Sequence, residues 1–178
     1  MMKMISAALL SALTLTGLPC WAQSAGPTDA QIAAIVVTAN QVDIDAGKLA
    51  ESKTKSKDVK GFAQRMVTDH SGVNKAAVDL VHKLGVTPED NPTSQSLKQG
   101  GDANLANLKS LKGAPFDQAY IDHEVTYHEN VLDALDKTLI PDAQNAELKA
   151  LLVKVRPAFV AHLEHARHLQ AALGKSGE

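Results

Sequence analysis

Three histidines interrupt rows that otherwise read as the inward faces of helices. His70 stands in a row with Phe62, Met66, Val73 and Ala77, and His128 in one with Tyr120, Glu124, Val131 and Leu135. His162 fills the remaining slot among Leu148, Leu152, Val155, Phe159, Ala166 and Leu169. Residues three and four apart share a helix face, so each histidine takes a place that an apolar side chain would hold without burying a polar group. Imidazole ligates zinc, copper, nickel and iron, and helical bundles build such sites from facing helices. The candidate metal ligands are Asp43, His70, Glu124, His128 and His162, with His123 and His165 as secondary candidates. Zn, Cu, Ni or Fe suits this set better than calcium or magnesium, because imidazole outnumbers clustered carboxylate. Asp122, Glu164 and His168 fall at the same level and read as a solvated face. The plainer account is that each histidine is a core residue satisfied by a nearby hydroxyl or carboxylate.

Four long helices must position these groups. The first is predicted from Thr28, where Thr28 and Gln31 make a capping-box pair, to about Thr54. Two apolar rows overlap in it, and which one faces the core decides whether Asp43 is buried. The second runs from Ser56 to Leu84, with Gly85 as a left-handed stop. Residues 86–113 carry Pro88, Pro92, Gly100 and Gly101 and read as a long crossover, helical only over Asn104 to Leu111. The third helix spans Pro115 to about Leu139, before Pro141. The fourth spans Asp142 to Leu173, kinked at Pro157 and closed by Gly174. No stretch reads as a strand, so the fold class is all-α: a four-helix bundle with a long crossover between helices 2 and 3.

Height along the bundle divides the candidates. Asp43, His70 and His128 lie near the midpoints of their helices. A hairpin that breaks before Pro141 places His162 opposite Tyr120, roughly 14 Å along the axis from the partner of His128. The expectation is therefore two polar layers joined by Glu124. One holds Asp43, His70 and His128, and the other is a structural polar pair of Tyr120 and His162.

The first residues read as an address label. Lys3 precedes an apolar run from Ala7 to Leu18, and Cys20-Trp21-Ala22 fits a cleavage site, giving a signal peptide over 1–22 and a single domain over 23–178. That run is too short to span a bilayer, and no later segment qualifies, so the expected location is periplasmic or secreted without a transmembrane segment. The chain's net charge is −2. Losing Lys3 makes the mature charge −3, which argues against nucleic acid. Cys20 leaves with the signal, so a metal site must use His, Asp, Glu or Asn.

The segments FAQRMVTDHSGVN at 62–74, FDQAYIDHEVTYHENVLDAL at 116–135 and RPAFVAHLEHARHL at 156–169 resemble the bacterial exported family known as domain of unknown function 4142, often labelled a predicted outer-membrane protein. The resemblance covers nearly all of the mature chain and implies a ferritin-like four-helix fold. Its pattern matches at His70, Tyr120, His128 and His162, whereas His123 and Glu124 stand where apolar residues are expected. No activity is carried over by it, and nothing in the chain reads as a barrel strand or a span. The Glu-x-x-His motif of di-iron bundles is missing, because Glu124 to His128 and Glu164 to His168 are spaced by four. No nucleophile elbow, phosphate loop or Cys-His pair is present. The leading expectation is an exported helical bundle of unestablished activity that is a candidate for transition-metal binding through its core histidines and carboxylates, with the balance against an enzyme. The alternatives are an envelope stress or interaction module with structural histidines, and a redox or peroxide-handling metalloenzyme.

Overall fold

The computed structural model describes residues 26–175, so the predicted signal segment and its cleavage point lie outside the described residues. Among these the chain is all-helical, with five long helices and no strand. Helix α1 (Asp29–Lys53) opens on Thr28, whose hydroxyl accepts from Gln31 while the Gln31 side chain returns to the Thr28 amide. Helix α2 (Lys57–Leu84) is capped by Ser56 and ends on Gly85 at φ 65°, a left-handed position that glycine takes without a Cβ clash. Both follow the expected limits.

The crossover departs from expectation. Pro92–Ser110 is one continuous helix, α3, with Asn91 capping the amides of Thr93 and Ser94 and the Ser94 hydroxyl returning to Asn91. Pro92 sits in the first turn, where its missing N–H costs nothing. Gly100 and Gly101, read from sequence as breakers, are helical. Gly101 is buried where α3 crosses α1, and a Cβ there would lie 2.7 Å from a Val42 methyl. The glycine that weakens the helix locally is what allows the close crossing. At its far end α3 is tied down by Lys53, whose ammonium donates to the Leu108 and Lys109 carbonyls at 2.9 and 2.8 Å.

Helix α4 (Ala114–Ala134) does not stop before Pro141 either. A π-helical turn, Leu135–Leu139, carries it into a last turn at Ile140–Asp142. Helix α5 (Ala146–Lys175) then starts four residues later than predicted, passes through Pro157, and passes Gly174 as well, which is not a stop. The carbonyl that Pro157 leaves unpaired one turn back belongs to Val153, which is exposed, so water can satisfy it. Arg156 of α5 grips Asp136 of the π turn with two bonds of 2.6 and 2.7 Å. Helices α1 and α2 pack along each other, as do α4 and α5, and α2 meets α5. Two apolar cores result. One gathers Phe62, Met66, Tyr120 and Leu163, and the other Ile32, Ile35, Leu152 and Phe159.

Candidate metal centre

Between those two cores lies a polar layer in which Asp43, His70, Glu124, His128 and His162 are all buried. The sequence-level division into two layers is corrected here. One ring nitrogen each from His70, His128 and His162 lies within 4.8 Å of the others. The cause is the hairpin: because α4 runs on to Asp142, its centre falls later than a break before Pro141 would put it. Each residue of delay shifts the facing partner by two, which slides His162 roughly two turns up to His128. The expected Tyr120–His162 pair is overturned with it. His162 instead has its Nε2 2.8 Å from Asp69 Oδ2, and the buried Tyr120 hydroxyl has no hydrogen-bond partner among the described residues.

What each imidazole offers follows from the partner behind it. Asn40 donates its amide to the Val36 carbonyl at 2.7 Å, so the oxygen it turns to His70 Nδ1 at 2.8 Å is an acceptor. His70 therefore carries its proton on Nδ1 and leaves Nε2 as a lone pair. His128 donates from Nδ1 to the Glu124 backbone carbonyl, at 3.0 Å, leaving Nε2 bare. His162 donates from Nε2 to Asp69 and leaves Nδ1 bare. Among the described residues these three inward nitrogens have no hydrogen-bond partner.

The carboxylates make the same point. Asp43 Oδ2 lies 3.0 Å from His70 Nε2 and 3.6 Å from His128 Nε2, but a carboxylate and a lone pair are both acceptors. Such contacts bind only if a proton or a cation stands between them. Among the described residues both oxygens of Asp43 and both of Glu124 lack a donor. Asp43, Glu124 and His128 form a second triplet of potential ligand atoms within 4.8 Å. His128 has one nitrogen to give, so the two triplets describe a single centre rather than two separate ones.

Burial sets the protonation. It pushes the Asp43 carboxyl up to about 7, with the Glu124 carboxyl beside it pulling the other way. Burial and the Asp43 charge raise Glu124 well above the carboxylate range. The imidazoles move down: burial first, then His162, brings His128 to about 4, and burial with the two neighbouring rings holds His70 well below its usual value. Burial also lowers His162, opposed by Asp69. Near neutral pH the centre thus holds neutral imidazoles and a carboxyl pair that retains a proton.

The secondary candidates fall elsewhere. His123 stacks on Tyr127 in a surface pocket below α3, with ring centroids 5.5 Å apart. His165 meets the edge of Phe62 at 5.2 Å. Neither joins the ligand groups. Sequence reasoning assigned no role to Asn40 or Asp69, which orient His70 and His162. The one available signal for Asn40 was its place in the buried row of α1, three residues before Asp43.

The family model described as Domain of unknown function (DUF4142) matches residues 19–169, and the chain belongs to that family. The fold is similar to the crystal structure of a DUF305 protein from Streptomyces coelicolor, described as secreted. That likeness has a TM-score of 0.67 at 12% identity, and it covers 81% of this chain and 92% of the other. Comparison with curated proteins finds no match. No helix among the described residues is long and apolar enough to cross a membrane.

Proposed function

We propose that this protein is an exported, ferritin-like four-helix bundle that holds one transition-metal ion through His70, His128, His162 and Asp43. In this reading α1, α2, α4 and α5 are the bundle, and α3 is its crossover. Export is supported by the signal-like first 22 residues and by the secreted description of the similar DUF305 protein.

One observation carries the metal reading. Among the described residues three imidazole lone pairs converge with only the proton of the Asp43–Glu124 carboxyl pair to share, and each opposite nitrogen is committed to an amide oxygen, a backbone carbonyl or a carboxylate. Metal-bound histidines are oriented in this way by the groups behind them. A structural histidine would spend both nitrogens on the protein. Three imidazoles and one carboxylate suit Zn²⁺, and equally Cu²⁺, Ni²⁺ or Fe²⁺. Glu124 stands next to Asp43 and shares with it the proton that a bound ion would release to solvent.

The test is titration of the purified mature protein with cobalt as a spectroscopic probe and zinc as competitor. One equivalent is expected to bind, with absorption bands of nitrogen-rich coordination. His128→Ala should weaken binding by at least about a hundredfold, the scale on which even orienting partners act. Substoichiometric uptake, or a His128→Ala chain that binds like the parent, would sink the reading. The structural-module alternative would then stand.

A further inference from the structure

A cavity of about 160 Å³ lies beside the histidine cluster and shares His70 with it. Buried Val36, Leu135, Leu152 and Phe159 wall it, and Asn40 and one side of His70 close its inner end. Phe159 stacks on the His70 ring with centroids 5.0 Å apart, so two packed rings stand at that end. An engineered apolar cavity of about 150 Å³ stays dry and takes up benzene, so this volume holds one ring.

Of the polar residues on the lining, Thr93 and Asn130 are exposed, and the groups further in are already engaged. Asn40 spends its amide on the Val36 carbonyl and its oxygen on His70 Nδ1, and the Tyr127 hydroxyl donates to the Ala39 carbonyl at 2.8 Å. A buried water needs two to four polar partners and finds these occupied. What suits the space is a molecule with no hydrogen-bonding demand.

The local fold builds this space. The π turn places both Leu135 and Leu139 on its wall, and single π turns recur at functional sites. Helix α3 lies over the mouth with Thr93 and Leu97. Those two residues and Tyr127 also line an outer pocket of about 470 Å³ that reaches solvent. They are thus the partition between solvent and the inner chamber.

We propose that the inner cavity binds one small apolar molecule, about the size of a benzene ring, seated against Phe159 and His70 and admitted past Thr93, Leu97 and Tyr127. The site goes beyond the metal reading and stands without it. Where His70 does carry an ion, the molecule lies against a liganding ring.

The experiment follows benzene binding to the metal-free mature chain by amide NMR, with xenon as a second probe. Saturable binding of one equivalent is expected, with shifts concentrated at Val36, Val131, Leu135 and Leu152. Val131→Phe and Ala134→Leu fill the cavity from two positions on α4. Each is expected to weaken benzene at least tenfold and to leave cobalt affinity unchanged. Shifts that grow linearly without saturation, or filled variants that bind benzene like the parent, overturn the proposal. His128→Ala lies outside the cavity, so it should lose cobalt and keep benzene. Failure with cobalt alone therefore counts against the metal centre, and failure with benzene alone against the cavity.

Discussion

At His70 the chemistry is decided by the residue behind the ring. Asn40 can accept there only because its own amide is held by Val36, so it fixes the tautomer that points a lone pair at Asp43. Asn40→Ala is expected to weaken zinc about ten- to a hundredfold, and imidazole nitrogen shifts should show His70 losing its fixed tautomer. Unchanged shifts would mean that Asn40 does not set it. The protons add a pH dependence with a definite sign. Unfolded chains lose the Asp43 proton above pH 3.8, whereas the folded protein keeps it to about 7, so stability falls with rising pH across that window. His128 is charged in the unfolded chain below pH 6.5 but stays neutral in the fold down to about 4, so its contribution rises across its own window. The two slopes oppose each other up to pH 6.5. Above that the carboxyl slope remains, with Glu124 acting in the same direction. The metal-free Tm should therefore drop between pH 6.5 and 7, while zinc, which displaces the proton, should bind up to about tenfold more tightly per pH unit. A zinc-induced Tm shift that is flat with pH would mean that no proton is displaced. The histidines themselves were legible because a lone polar residue in a long apolar row stands out. Asn40 and Asp69 were not, since a short amide in α1 and a half-exposed carboxylate beside His70 look like ordinary helix surface until their partners are placed.

The elements were read correctly where their ends are marked by local chemistry. Thr28 with Gln31, Ser56 and Gly85 bring their own caps, and α1 and α2 fall within a residue of expectation. The failures share one cause: a breaker's effect is decided by tertiary contact. Gly100 and Gly101 cost helix propensity, yet α3 forms because Gly101 lets it lie on Val42 and because Ser94, Gly101 and Leu108 share a buried face. Pro141 is tolerated in the first turn after a π turn whose Leu135 and Leu139 are buried. That single misreading displaced His162 and split one centre into two. The same distinction between packed and open glycines predicts stability. At Gly47 a Cβ would stand 2.9 Å from a Val67 methyl and 3.2 Å from the Ala63 carbonyl, whereas at Gly61 it meets nothing within 4 Å. Gly47→Leu is expected to cost about 1–3 kcal/mol by overpacking the α1–α2 contact, and Gly61→Ala to gain up to about 1 kcal/mol. Urea melts of the two variants check this. Equal effects would mean that α1 and α2 do not approach closely at Gly47.

For the molecule as a whole, the question is whether the polar layer holds the two apolar cores together or weakens their junction. Buried groups without partners each cost about 1–3 kcal/mol, and the layer concentrates them at Asp43, His70, Tyr120, Glu124, His128 and His162. No disulfide within the chain can offset that cost, because its sequence holds a single cysteine, Cys20. An ion at a thousand times its dissociation constant would return about 4 kcal/mol. In a domain of this size that is on the order of 10 °C in Tm. A centre kept for a ligand thus sacrifices stability when metal-free, and one kept for structure does not. Glu124→Leu separates the two cases. Glutamate and leucine are of similar size, both Glu124 oxygens lack a donor, and burial alone disfavours the charge. Replacing buried ionisable groups by apolar ones of similar volume is often stabilising by about 1–4 kcal/mol. The metal-free Glu124→Leu protein is therefore expected to melt several degrees above the parent, and to lose part of the pH dependence above 6.5. Differential scanning calorimetry of both proteins after chelation measures this directly. A variant that melts lower would show Glu124 to be a structural partner of Asp43 and Tyr120.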